Sequence, residues 1–270
     1  MRSLSALLIG LQLLVGIEAT SAQEFRIVTT IRNLAAKNPS ASGVTTLTLF
    51  RQTKVYDYID SLGEVIIYEP GAKQFTILNV RRSLATTVHF DEVRKLLGGR
   101  KPEIELYVAR LRQNSDPIAE DVAAAFEFQL APRFEEAFDQ EKNVLTLSSP
   151  KCMYRVTCDK VQRQQQVQQY LTYADWMAQL NSVLHPGAMF PEPRIELNKS
   201  LRRHVRMPVR VELRSSLDGD LHLAADHRIS FKLEDRDRSR ITEWESMLNS
   251  PRVTKTTFPL YQRTVLTAAR

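Results

Sequence analysis

The residues whose types and spacing could carry chemistry in this 270-residue chain are five histidines, two cysteines and a dense run of arginines. His222 and His227 are five positions apart, so an extended strand sends them to opposite faces and they cannot chelate one metal. His227 falls among Leu223, Ala225 and Ile229 and reads as a core histidine hydrogen-bonded to a neighbour. His222 lies close to Asp218 and Asp220, but Leu217-Asp218-Gly219-Asp220 has turn chemistry and lacks the ordered carboxylates of a calcium loop. His89, His185 and His204 have no companion motif. Cys152 and Cys158 are separated by strand formers without Gly, Pro or Asn. In one strand their Cα atoms would stand about 20 Å apart, far beyond disulfide reach, so two free, buried thiols are expected.

Nucleophile and metal signatures are missing: there is no G-x-S-x-G, S-x-x-K or H-E-x-x-H. Gly98-Gly99-Arg100-Lys101 lacks the spacing and the following Ser or Thr of a phosphate loop and reads as a helix stop. Glu135-Glu136 and Glu234-Asp235-Asp237 read as solvated charge. No motif assigns a catalytic residue, a metal or a cofactor. Arg206, Arg210 and Arg214 recur at four-residue steps on one strand face, where Arg228 and Lys232 of a pairing strand would join them. Glu212 and Asp226 partly neutralise the patch, which is either a solvated sheet face or a surface for phosphate headgroups.

The elements that must position these residues follow from periodicity. Residues 25–90 read as short strands with polar turns: Phe25 to Ile31, Thr45 to Phe50, Val55 to Ile59, Glu64 to Tyr68, Gln74 to Leu78 and Leu84 to Phe90. Leu47 and Leu49 alternate with Thr46 and Thr48. Helices follow: one capped by Asp91 and stopped at Gly98, one over Glu103 to Arg112, and one opened by Asp116-Pro117 with Ile118, Val122, Ala125 and Phe126 on its apolar face. Asn143 to Ser149 and Met153 to Cys158 return to strand. Val161 to Leu184 reads as the longest helix, with a solvated Gln-rich start; an irregular Pro191/Pro193 connection comes next. Met207, Val209, Val211 and Leu213 share one strand face, and Leu221, Leu223, Ala225, His227, Ile229, Phe231 and Leu233 share another. Such strands imply an antiparallel sheet with one face exposed. Ile241 to Leu248 reads as a short helix and Thr254 to Leu266 as strand.

The first residues resemble a secretory leader. Arg2 precedes an apolar run from Leu4 to Ile17, too short to span a membrane comfortably, and Thr20 and Ala22 suit a cleavage site. The expectation is a signal peptide over 1–22, cleaved after Ala22, and a single α+β domain over 23–270, placed in the periplasm or outside the cell. No later stretch reaches 18 apolar residues. The net charge of +6 then favours anionic partners such as a membrane surface or an envelope polymer, and export argues against nucleic acid.

Thr46-Leu47-Thr48-Leu49-Phe50, Lys54-Val55-Tyr56-Asp57-Tyr58, Ile67-Tyr68-Glu69-Pro70 and Phe75-Thr76-Ile77-Leu78 resemble an uncharacterised family of exported proteins of planctomycete-type bacteria. The order of a strand meander, helices and further one-faced strands is similar to the LolA-like lipoprotein carriers, without their leading helix. That resemblance implies a curved antiparallel sheet, a half-barrel closed on one side by helices around an apolar cavity, and a lipid or lipoprotein as partner. Leu47, Leu49, Val209, Val211, Ile229 and Phe231 would line the cavity. Three readings follow: an exported, non-catalytic binding module for a lipid or other apolar ligand; a structural or protein-interaction module of the envelope with a dry core; and an unrecognised hydrolase, which would set a titratable group such as His227 beside a carboxylate.

Overall fold

The computed structural model describes residues 24–36, 43–114, 116–160, 163–185, 187–217 and 221–267. The expected leader over 1–22 and the expected turn at Asp218-Gly219-Asp220 lie outside the described residues. The first six strands form the expected meander: β1 (Phe25–Asn33), β2 (Val44–Arg51), β3 (Lys54–Ile59), β4 (Glu64–Glu69), β5 (Gln74–Asn79) and β6 (Leu84–His89). Left-handed residues tighten its turns. Gly63 is one of them at φ +60, and a Cβ there would stand 2.6 Å from Arg81, whose guanidinium donates to the carbonyls of Asp60 and Ser61. After the meander come α1 (Phe90–Arg112), α2 (Pro117–Leu130), β7 (Glu135–Asp139), β8 (Val144–Ser148), β9 (Cys152–Asp159), α3 (Gln164–Leu184) and α4 (Glu192–His204). The chain ends with β10 (Met207–Ser215), β11 (Leu221–Ser230), α5 (Asp235–Leu248), β12 (Thr254–Thr256) and α6 (Phe258–Thr267).

All twelve strands join one open sheet in the order β12-β6-β5-β4-β3-β2-β1-β11-β10-β9-β8-β7. Pairing is antiparallel except between β12 and β6. The long-range partnership of β1 with β11, from Arg26↔Ser230 to Asn33↔Leu223, joins the meander to the C-terminal strands. The α+β architecture read from the sequence is therefore present. Helices do not stay on one side, however. Ile27, Phe50, Val55, Ile66, Phe75 and Val88 face α1, α3 and α4, whereas Leu47, Leu49, Tyr56, Val65, Ile67 and Leu78 lie under Ile241 and Trp244 of α5. This double cover explains why nearly every residue of β4 is buried, as in a strand with no solvent face.

An aromatic chain docks α3 on the first face. Phe25 stacks on Phe50 at 3.9 Å, Tyr173 meets Phe50 and Tyr68 edge-on at 5.5 and 5.9 Å, and Trp176 stacks on Phe90 at 3.8 Å. Each such pair adds about 0.5–1.5 kcal/mol to the area it buries. On the other face α5 is held by charge. Arg26 of β1 is buried, pairs with Glu234, and places Nε 3.4 Å from Oδ2 of the fully buried Asp237. Glu234 N–H donates to that same oxygen at 2.9 Å, which closes a capping box at the start of α5.

Several expectations are corrected. Gly98 does not stop a helix: α1 runs unbroken through Gly98, Gly99 and Pro102, with His89 rather than Asp91 at its cap position. A glycine four residues before Pro102 leaves the least side-chain crowding where the proline ring breaks the ladder. Asp116 does cap α2, accepting from Ile118 N–H at 3.0 Å, but Ile118 is exposed and Ala119, Ala123, Ala125 and Gln129 are the buried positions. The Gln-rich start of α3 is not wholly solvated, since Gln166 and Val167 are buried. Glu135 and Glu136 lie in a strand, and Pro193 sits in the first turn of α4, where its missing N–H has no intrahelical partner to lose. The segment from Phe258 is helical, not strand.

Truncating one partner of a buried ion pair strands the other, at a cost of about 3–5 kcal/mol. Arg26→Met is expected to lower the unfolding free energy read from urea melts by that much, with Arg26→Met/Asp237→Leu recovering part of it. Equal stability of Arg26→Met and wild type in urea melts would show that the pair does not anchor α5.

Candidate functional site

Threonines of β1 and β2 line up across the sheet on the face that meets α3. Thr29 pairs directly with Thr46 and with His227, and Thr48 pairs with both Ile27 and Asp57. A β-branched hydroxyl residue suits a strand and supplies a short polar group without leaving the pleat. Above these residues α3 contributes Tyr170, Tyr173 and Asn181, and α4 contributes Arg194; together they line an open cavity of about 190 Å³. A second hollow of about 310 Å³ adjoins it and shares Ala178, Asn181 and Arg194. Its walls are apolar: Ile31, Leu213, Leu223 and Ala225 from the sheet, with Met189 and Phe190 from the α3–α4 connection. The site is thus a cleft between sheet and helices, polar at one end and apolar at the other, with Arg194 at the junction.

Asp57 occupies the polar end. It is buried; Thr48 Oγ1 donates to its Oδ1 at 2.7 Å, and the Tyr173 hydroxyl donates to it as well. Burial raises its pKa to about 6, and the two donors only partly oppose that rise. His227 shows the opposite response. Burial, reinforced by the charge of Arg194, lowers its pKa to about 4, so the ring is neutral at pH 7. Its Nδ1 lies 2.8 Å from Thr29 Oγ1, and its Nε2 is buried without a partner among the described residues. Among the described residues no carboxylate orients the ring. Asp226 next to it in sequence is on the other face, ion-paired to Arg210 at 2.7 Å, and Asp57 is three strand spacings from β11, roughly 14 Å. Thr29 and His227 therefore lack the third member of a nucleophile–base–orienter constellation.

Arg194 is held rather than neutralised. Its Nε donates to Oδ1 of the buried Asn198 at 3.1 Å, and an Nη reaches the Tyr170 hydroxyl at 3.4 Å. Asn198 in turn donates to Asp175 at 2.7 Å, and that carboxylate is already paired with Arg202. This relay fixes the guanidinium without supplying it a counter-charge.

The structure divides the expected cavity residues. Val211 lines the apolar hollow. Ile229 is partly buried and packs on the same core without reaching the cleft. Leu47 and Leu49 are on the wrong face, beneath α5; Thr46 and Thr48, which alternate with them, face the cavity instead. A bulge between Pro208 and Arg210 takes Val209 out of the ladder, so Pro208 rather than Val209 shares the Val211 face. β11 ends at Ser230, and Phe231 beyond it is 52% exposed.

The basic patch is also broken up. The same bulge turns Arg206 aside: it stacks 5.4 Å over Phe138 and donates to Asn143 and the His204 carbonyl. Arg210 pairs with Glu212 at 2.9 Å as well as with Asp226. Arg214 reaches His222 at 3.4 Å, and Arg228 and Lys232 are exposed. Cys152 and Cys158 are free and buried on one side of β9, and burial pushes their thiols up to about 12 and about 11. Asp57, Tyr173 and Arg194 were missed from sequence. A carboxylate between Tyr56 and Tyr58 in an otherwise apolar strand was the available signal for the first; nothing local marks the other two.

No family model matches this chain, and no curated protein matches it.

Opposed titrations predict a pH signature. Asp57 holds its proton more tightly folded than unfolded, so its contribution is complete below its ordinary value of 3.8 and is lost as pH rises through about 6. The contribution of His227 is complete above its ordinary 6.5 and is lost as pH falls through about 4. Relative to wild type, Asp57→Asn should gain stability from pH 3.5 to 7.5, on the order of 3 kcal/mol across the window, and His227→Gln should gain a similar amount in the reverse direction. Melting curves across that range read both differences. Differences that stay flat with pH would show that neither group titrates as its burial requires.

Proposed function

We propose that this protein is an exported binding module that holds a single small apolar or amphiphilic ligand, a lipid among them, in the cleft between its sheet and the α3–α4 connection. The observation that carries the reading is the hollow of about 310 Å³ walled by Ile31, Leu213, Leu223, Ala225, Met189 and Phe190. That volume is at the lower end of the range for small-molecule sites, about 300–1,000 Å³. It suits one short acyl chain better than a multi-chain lipid. Each methylene withdrawn from water contributes about 0.8 kcal/mol, so eight give roughly 6 kcal/mol before the cost of association. The leader-like sequence of residues 1–22 supports export.

Native mass spectrometry of the purified protein, followed by organic extraction, tests the reading. The expected result is an adduct of a few hundred daltons in near-stoichiometric amount that extracts as an apolar molecule. Ala225→Trp, which fills the hollow, should abolish the adduct while the protein stays folded by circular dichroism. A bare mass that also takes up no acyl chain on titration would overturn the proposal and favour a structural module with a dry core.

A further inference from the structure

We infer that the ligand carries an anionic head, and that Arg194 is the residue that receives it. The inference rests on the binding reading above and names the class of ligand: one acyl chain ending in a carboxylate or phosphate. Three observations carry it. The first is the position of Arg194, which borders both the polar cavity and the apolar hollow, so a chain in the hollow brings its head to the guanidinium.

The second is its unmet charge. Arg26 is paired with Glu234 and Asp237, Arg202 with Asp175, and Arg210 with Glu212 and Asp226; the half-buried Arg100 and Arg206 have neutral partners as Arg194 does, but neither borders this cleft. Arg194 has two neutral partners, Asn198 and Tyr170, and no carboxylate among the described residues. The acid that could have served it, Asp175, is engaged by Arg202, and Asn198 stands between them. A planar guanidinium held by its Nε presents its Nη edge to a carboxylate or phosphate in the paired geometry that arginine favours.

The third is His227. The neutral ring leaves Nε2 buried without a partner beside the same cavity, near enough to Arg194 to feel its charge. With Nδ1 accepting from Thr29, Nε2–H is a donor for an anion's second oxygen. Asp57, the one acid among the described residues that line the cavity, is held by Thr48 and Tyr173 on β3, three strands and roughly 14 Å from the His227 strand.

Titration calorimetry on the full chain at pH 8 separates the possibilities, with dodecanoate, dodecyl phosphate, dodecan-1-ol and dodecyltrimethylammonium as probes. Wild type should bind at least one of the two anionic amphiphiles tenfold or more tighter than the alcohol, and the ammonium more weakly still. Which anionic probe wins tells carboxylate from phosphate. Arg194→Gln should erase the preference, lowering the affinity for the anions tenfold or more relative to any change for dodecan-1-ol; Arg194→Lys should retain part of the preference. Equal binding of alcohol and anions by wild type, or a preference that survives Arg194→Gln, overturns the inference while the binding module stands. Acetate or inorganic phosphate binding as tightly as the amphiphiles overturns it in favour of a simple anion site. If no probe binds, the binding reading fails and this inference with it.

Discussion

The sheet–helix side of this molecule depends on burying one carboxylate. Asp57 lies in the middle of β3, where alternation sends its side chain toward α3 among aromatic rings. An ionised carboxylate in that place would be costly unless donors meet it. Two do: Thr48 from the neighbouring strand and Tyr173 from the helix above. Tyr173 also stands edge-on between Phe50 and Tyr68. The residue that satisfies the acid is thus the one that docks the helix, and the lie of α3 sets the height of the cleft beside it.

The opposite face uses the same device with charge. Arg26 is buried between the sheet and α5, and Asp237 is the fully buried group that answers it while capping the helix. Both clusters are polar islands in an apolar core, and both settle the orientation of a helix that hydrophobic contact alone would leave free to slide. They differ in what they leave over. In the Arg26 cluster each charge faces an opposite one, although Arg26 Nε and Asp237 Oδ1 are themselves buried without a hydrogen-bond partner among the described residues. The cleft is not matched in this way, because Arg194 is fixed by neutral partners and His227 leaves one ring nitrogen unanswered. A folded protein ordinarily satisfies such groups, and the sites where it does not are where a ligand can.

Much of the scaffold was legible. The six-strand meander followed from alternation and turn residues, since β-strand faces repeat every two positions regardless of what covers them. The Asp116-Pro117 start of α2 was equally plain, because capping is a local interaction. The cavity was harder. Alternation separated Leu47 and Leu49 from Thr46 and Thr48 correctly but could not say which set faces α3, and apolar character pointed to the wrong one. The bulge at Val209 reversed the facing of Arg206 and Pro208 for a similar reason: a slip of one residue is invisible until a partner strand is present to count against.

By itself the sequence determined what short-range forces determine: strand and helix stretches, most turns, an α+β composition and two cysteines too far apart along one strand to bond. Tertiary structure decided the pairing of β1 with β11, the placing of α5 on the second face, and the meeting of Arg194, His227, Tyr173 and Asp57 at one cleft. Those four residues are spread over some 170 positions of chain and belong to α4, β11, α3 and β3. No local pattern links them. Only the pairing of β1 with β11 and the docking of two helices brings them together, and burial then sets the protonation of Asp57 and His227.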